Sequence, residues 1–130
     1  MRALLDTNVL IRHLTGDPPG QARRATALLR AKNELVLTDL ILAEMVYVLE
    51  SFYERRRPQI AEMTRALLAL PSIAVGDHDL ILRAVELYEM ERLDFAEAYL
   101  AALAELSDVT QVASFDRQID RVKTIKRVEP

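Results

Sequence analysis

The chain contains no cysteine, only two histidines and only three glycines in 130 residues. Without cysteine there is no disulfide, no thiolate metal site and no cysteine nucleophile. That composition fits a reducing cytosol, the expected location. His13 and His78 stand singly on helical segments, without ligand spacing, and neither is given a role. The glycines fall at positions 16, 20 and 76. No glycine-rich loop follows a strand, which leaves P-loop and dehydrogenase readings weak. Long apolar runs are also missing. Only Ala3, Leu4 and Leu5 separate Arg2 from Asp6, too few for the apolar core of a secretory leader. The run from Ala66 to Gly76 is broken by Pro71 and falls short of the roughly 18 residues a membrane span needs. No linker, repeat or low-complexity tract interrupts the chain.

What is present is ordinary for a globular protein: 51% hydrophobic and 28% charged residues, with 17 basic against 20 acidic side chains. The length suits a single domain over 1–130. Apolar triplets alternate with amphipathic stretches. Strands are expected at Ala3–Leu5, Leu35–Leu37, Ile73–Val75, Val109–Ala113 and Ile125–Val128. Helices are expected over Thr7–Leu14, Pro19–Lys32, Thr38 to about Tyr53, Arg57–Leu70, Asp77 to about Arg92, and Asp94–Leu106. Alternation of this kind predicts an α/β protein with a parallel sheet covered by helices on both faces. Ligands of such sheets bind just beyond the carboxyl ends of the strands.

Acids stand at those places. Asp6 follows the first strand directly, and Asp116 comes three residues after Ala113. Asp94 and Glu97 share the first turn of one helix. Glu44 lies within the helix after the second strand, where Ile41, Met45, Val48 and Phe52 are expected to form the buried stripe with Glu44 on its edge. If the sheet forms, up to five carboxylates converge at one end. Like charges in one pocket must take up protons or a cation. Oxygen-only ligands suit Mg²⁺ or Mn²⁺, and such ions favour phosphodiester chemistry. Each acid also has a plainer reading. Asp6, Asp94 and Asp116 stand at helix starts, where an aspartate cap is worth ~1 kcal/mol. Asp94 and Glu97 have capping-box spacing. Glu44 could serve an arginine salt bridge.

Taken together, Leu4-Leu5-Asp6-Thr7-Asn8-Val9-Leu10, Leu42-Ala43-Glu44, Leu93-Asp94-Phe95-Ala96-Glu97-Ala98 and Ser114-Phe115-Asp116-Arg117 make the chain resemble a PIN-domain ribonuclease. More narrowly, it is similar to the VapC-type toxins of bacterial toxin–antitoxin pairs. The resemblance implies a PIN-like three-layer α/β/α sandwich with a central parallel sheet of four to five strands. It implies Mg²⁺- or Mn²⁺-dependent cleavage of RNA, with Asp6, Glu44, Asp94 and Asp116 as the acidic cluster. Glu97 matches a position where aspartate is commoner, so it serves the metal directly or through water. Thr7, Asn8 and Ser114 would support the cluster. Thr7 and Ser114 would orient a carboxylate or a metal-bound water, or make a local bond to the backbone. A homodimer inhibited by an antitoxin is implied too.

The net charge of −3 needs an answer in any RNA-binding protein, and two divalent ions would bring it to +1. Basic residues gather at Arg23, Arg24, Arg30 and Lys32, at Arg55-Arg56-Arg57, and along the tail from Arg117 to Arg127. The first two groups read as helix C-termini, where cations are favoured. The tail, with Arg117 and Arg121, reads as the phosphate contact. Two other functions compete. A phospho-receiver domain wants a pair of adjacent acids after the first strand, but Asp6 is followed by Thr7, and Asp77 reads as a helix start. A non-catalytic module of the same fold leaves the acidic set without a use.

Overall fold

In a computed structural model, residues 1–130 are described throughout. The chain divides into two compact units, Met1–Gly76 and Asp77–Pro130.

The first unit holds β1 (Arg2–Leu4), α1 (Thr7–Thr15), α2 (Pro19–Arg30), β2 (Glu34–Val36), α3 (Asp39–Ser51), α4 (Arg57–Leu68) and β3 (Ile73–Ala74). The strands form a parallel sheet in the order β1-β2-β3, with Arg2 opposite Glu34 and Leu35 opposite Ile73. The Leu5 amide donates to the Val36 carbonyl at 3.0 Å, so backbone pairing continues up to the residue before Asp6. The local signals act where the sequence puts them. Thr38 Oγ1 accepts from the Ile41 amide at the start of α3. Pro19 opens α2 with its φ already set. Gly16 ends α1 at φ 73°, a left-handed turn that suits glycine. Leu35 on the central strand and Leu37 just beyond it are buried, as are Leu10, Leu29, Met45 and Leu49 of the helices.

The second unit holds α5 (His78–Met90), α6 (Phe95–Leu106), β4 (Gln111–Ala113), a short 3-10 helix (Arg117–Arg121) and β5 (Lys126–Val128), the two strands pairing in parallel. Helices α5 and α6 pack tightly because α6 offers Ala98, Ala101 and Ala102, all fully buried. Tyr88 and Phe95 meet edge to face, their centroids 5.9 Å apart. Arg83 clamps Glu105 through two hydrogen bonds of 2.7 and 2.8 Å, and that bond holds the Glu105 carboxyl below the usual range.

The α/β class with parallel strands is as expected, and the five strands hydrogen-bond as a set of three and a set of two. Two expectations change. The buried stripe of α3 is Leu42, Met45, Val46 and Leu49, turned about one residue from the expected one. Phe52 is 76% exposed, and Glu44 faces solvent. By contrast Leu87 and Tyr88 are core. No helix is long and apolar enough to cross a membrane.

Leu35 has no exposed surface and sits on the central strand. Leu35→Ala should therefore cost about 2–5 kcal/mol. Urea denaturation should show a lower midpoint with an unchanged m-value.

Candidate functional site

In the first unit one turn of helix organises two carboxylates. Asp6 leaves β1 in extended conformation and caps α1, its Oδ1 accepting from the Thr7 amide at 2.7 Å. Its Oδ2 accepts from Asn8 Nδ2 at 3.3 Å. The buried Thr7 hydroxyl donates to Glu44 Oε2 at 3.0 Å across to α3. Thr7 therefore serves Asp6 with its backbone and Glu44 with its side chain. The Thr7 hydroxyl thus bonds a carboxylate on another helix rather than its local backbone. Glu44 makes no arginine salt bridge; its partner is this hydroxyl. These groups line a cleft of about 670 Å³, whose other walls include Ile11, Arg12, Val48, Phe52 and Tyr53. Glu44, Val48 and Phe52 recur every four residues, so one face of α3 forms a wall. That spacing could have identified Phe52 as a cleft residue rather than core.

In the second unit three carboxylates meet with few donors. Asp94 precedes α6 but makes no side-chain cap bond, so the capping explanation fails for it. Asp116 Oδ1 accepts from the Gln118 amide at 2.9 Å. Glu97 is pushed up to about 7, first by burial and then by its neighbours Asp116 and Asp94. Its Oε2 is buried with no hydrogen-bond partner. Ser114 Oγ accepts from the Asp116 amide at 2.9 Å, a local bond that shapes the turn carrying the acid.

A divalent cation fits this chemistry. The donors are all oxygen, as Mg²⁺ and Mn²⁺ prefer, and a buried carboxylate oxygen lies beside two further acids without a donor. The side chains as they stand form no ready-made cage of three or more metal ligands. A proton on Glu97 relieves the repulsion that a cation would otherwise neutralise.

Other sequence candidates take quieter roles. Asp77 caps α5 through the Leu80 amide at 3.0 Å, a helix start and not a phosphoacceptor setting. Arg121 donates to the carbonyls of Glu91 and Arg92 at 3.1 and 3.4 Å, at the end of α5. Arg127 pairs with Asp120 and Glu129. Arg117 is exposed. His13 bonds Thr26 Oγ1 at 2.7 Å, and burial lowers its pKa, as suits a structural imidazole.

A family model described as PIN domain matches residues 3–125. No curated protein matches the chain. Among solved structures, one described as VapBC2 from Rickettsia felis bound to a DNA fragment from their promoter matches at a TM-score of 0.41 and 16% identity. The match covers 99% of this chain and 98% of that one.

The raised Glu97 carboxyl makes a prediction for protein kept free of metal by chelator. Between about pH 4.5 and 7 the folded chain binds a proton at Glu97 that the unfolded chain has lost. Unfolding free energy attributable to this group must fall as pH rises through that window. Glu97→Gln imitates the protonated form. The wild type should lose stability relative to Glu97→Gln from pH 4.5 to 7 in paired urea titrations, and Mg²⁺ or Mn²⁺ should restore it most strongly above pH 7.

Proposed function

The chain belongs to the PIN domain family, and on that footing we propose that it is a metal-dependent endoribonuclease, the VapC-type toxin of a toxin–antitoxin pair. The observation that carries the reading is the trio Asp94, Glu97 and Asp116, with a buried oxygen of Glu97 that no donor satisfies. An all-carboxylate group of this kind asks for a hard cation and suits substrates that are themselves anionic.

The reaction is hydrolysis of a phosphodiester: water attacks phosphorus, a P–O bond forms, and the opposite P–O bond breaks in line. When bound, Mg²⁺ or Mn²⁺ supplies Lewis acidity to the phosphoryl group and lowers the pKa of the attacking water. Within the second unit Asp94 and Asp116 would hold the ion, with Glu97 as a direct or water-mediated ligand; Asp6, in the first unit, is proposed as a metal ligand in its own right. Glu44 orients the water and takes its proton; the Thr7 hydroxyl fixes the carboxylate for that task. Asn8 steadies Asp6, and Ser114 steadies the turn of Asp116. An antitoxin that covers the site and a homodimeric assembly belong to the same proposal.

Asparagine caps helices about as well as aspartate, so Asp6→Asn should keep the fold, as judged by circular dichroism and melting temperature. It should lose RNA cleavage in Mn²⁺ by about a hundredfold or more. Retained cleavage by the pure variant would remove Asp6 from the reaction. Thr7→Val should lower kcat by roughly 10- to 100-fold, and Thr7→Ser, which keeps the donor, should recover most of it.

A further inference from the structure

Helix α2 carries charge in an unusual place. Between Asp17 and Glu34 the chain has Arg23, Arg24, Arg30 and Lys32 and no acid at all. The sequence suggested that these cations complement a helix C-terminus. For Arg23 and Arg24 that is wrong: both lie in the N-terminal half of α2, which starts at Pro19. There the helix dipole offers a cation nothing. Both are exposed, and neither makes an ion pair or a side-chain hydrogen bond. Exposed and unpaired, both guanidiniums are free to meet an anionic partner.

The surface connects them to the acids of the first unit. The cleft that holds Asp6 and Glu44 shares Asn8 and Arg12 with an adjoining groove lined by Gln21 and Arg24. That groove in turn shares Gln21 and Arg24 with a third depression that includes Arg23. Arg12 bridges α1 to α2 by donating to Gln21 Oε1 and to the Asn8 carbonyl. It too makes no ion pair with a carboxylate.

We propose that this groove over α1 and α2 is the track along which single-stranded RNA reaches the cleft, its phosphates held by Arg24, Arg23 and Arg12. The proposal rests on the endoribonuclease reading and names where its substrate lies. It moves the phosphate contact away from the tail, where Arg121 and Arg127 are occupied by carbonyls and carboxylates. Single strands suit a shallow basic groove, because their backbone is flexible and contacts are made phosphate by phosphate.

The test is the salt dependence of binding to a short fluorescein-labelled single-stranded RNA of mixed sequence, in Ca²⁺. Each phosphate contact contributes about 0.7 to the slope of log K against log salt. Arg24→Ala should make the slope shallower by about 0.7, and Arg23→Ala with Arg24→Ala by about 1.4. Arg117→Ala should change it less than Arg24→Ala does. Both arginines of α2 are exposed, so the variants should melt like the wild type. An unchanged slope for the double variant overturns the proposal, as does failure of the wild type to bind. A larger loss with Arg117→Ala returns the phosphates to the tail and overturns it too. Displacement by polyglutamate more readily than by RNA would assign the groove to an acidic protein segment and would equally refute it. Cleavage of the same RNA by wild type and Asp6→Asn in Mn²⁺ is scored separately. Absence of cleavage there sinks the enzymatic reading and leaves the slopes interpretable.

Discussion

Carboxylates placed close together repel, and the two units of this chain meet that constraint in opposite ways. In the first, donors are built in: the Thr7 amide and Asn8 amide hold Asp6, and the Thr7 hydroxyl holds Glu44. In the second, donors are scarce. Asp94 leaves its helix uncapped, and Glu97 buries an oxygen without a partner. There burial first, and the neighbouring Asp116 and Asp94 second, push Glu97 up to about 7, so a proton strikes the balance. A group that trades a proton for a cation near neutral pH is suited to take up a metal without a large electrostatic penalty in its absence.

The constraint also explains the surrounding architecture. Carboxylates can be held only where backbone is firm. Pairing of the Leu5 amide with Val36 carries the ladder to the edge of Asp6, and the fully buried Leu35 on β2 anchors it. In the second unit the small residues of α6 let α5 pack closely, and the Arg83–Glu105 clamp fixes the pair. The candidate carboxylates are exposed or half-buried, and all but Glu44, which lies within α3, stand at or beside element starts.

Much of this could be read from the residues, because the signals are local. Asp6, Thr38 and Asp77 cap the helices they precede, and Pro19 starts the one it opens. Strand and helix positions agree within a few residues, the strands being only two or three residues long. What was not legible depends on tertiary partners. The buried stripe of α3 was misplaced because Phe52 looks like core by type, yet it faces open cleft. The Thr7–Glu44 bond joins residues 37 apart and leaves no trace in spacing. Arg23 and Arg24 were grouped with Arg30 and Lys32 at the helix end, although the expected start at Pro19 already put them in the N-terminal half. Asp94, by contrast, matches a cap in sequence and fails to act as one; only side-chain geometry separates those cases.

Thr7 joins two helices and two acids through a single residue. Its peptide nitrogen steadies one carboxylate and its one hydroxyl proton steadies the other. The two are therefore coupled, since a shift in the first turn of α1 moves a donor of each. One residue is thus a shared hinge pin: whatever disturbs that turn is felt at both acids at once.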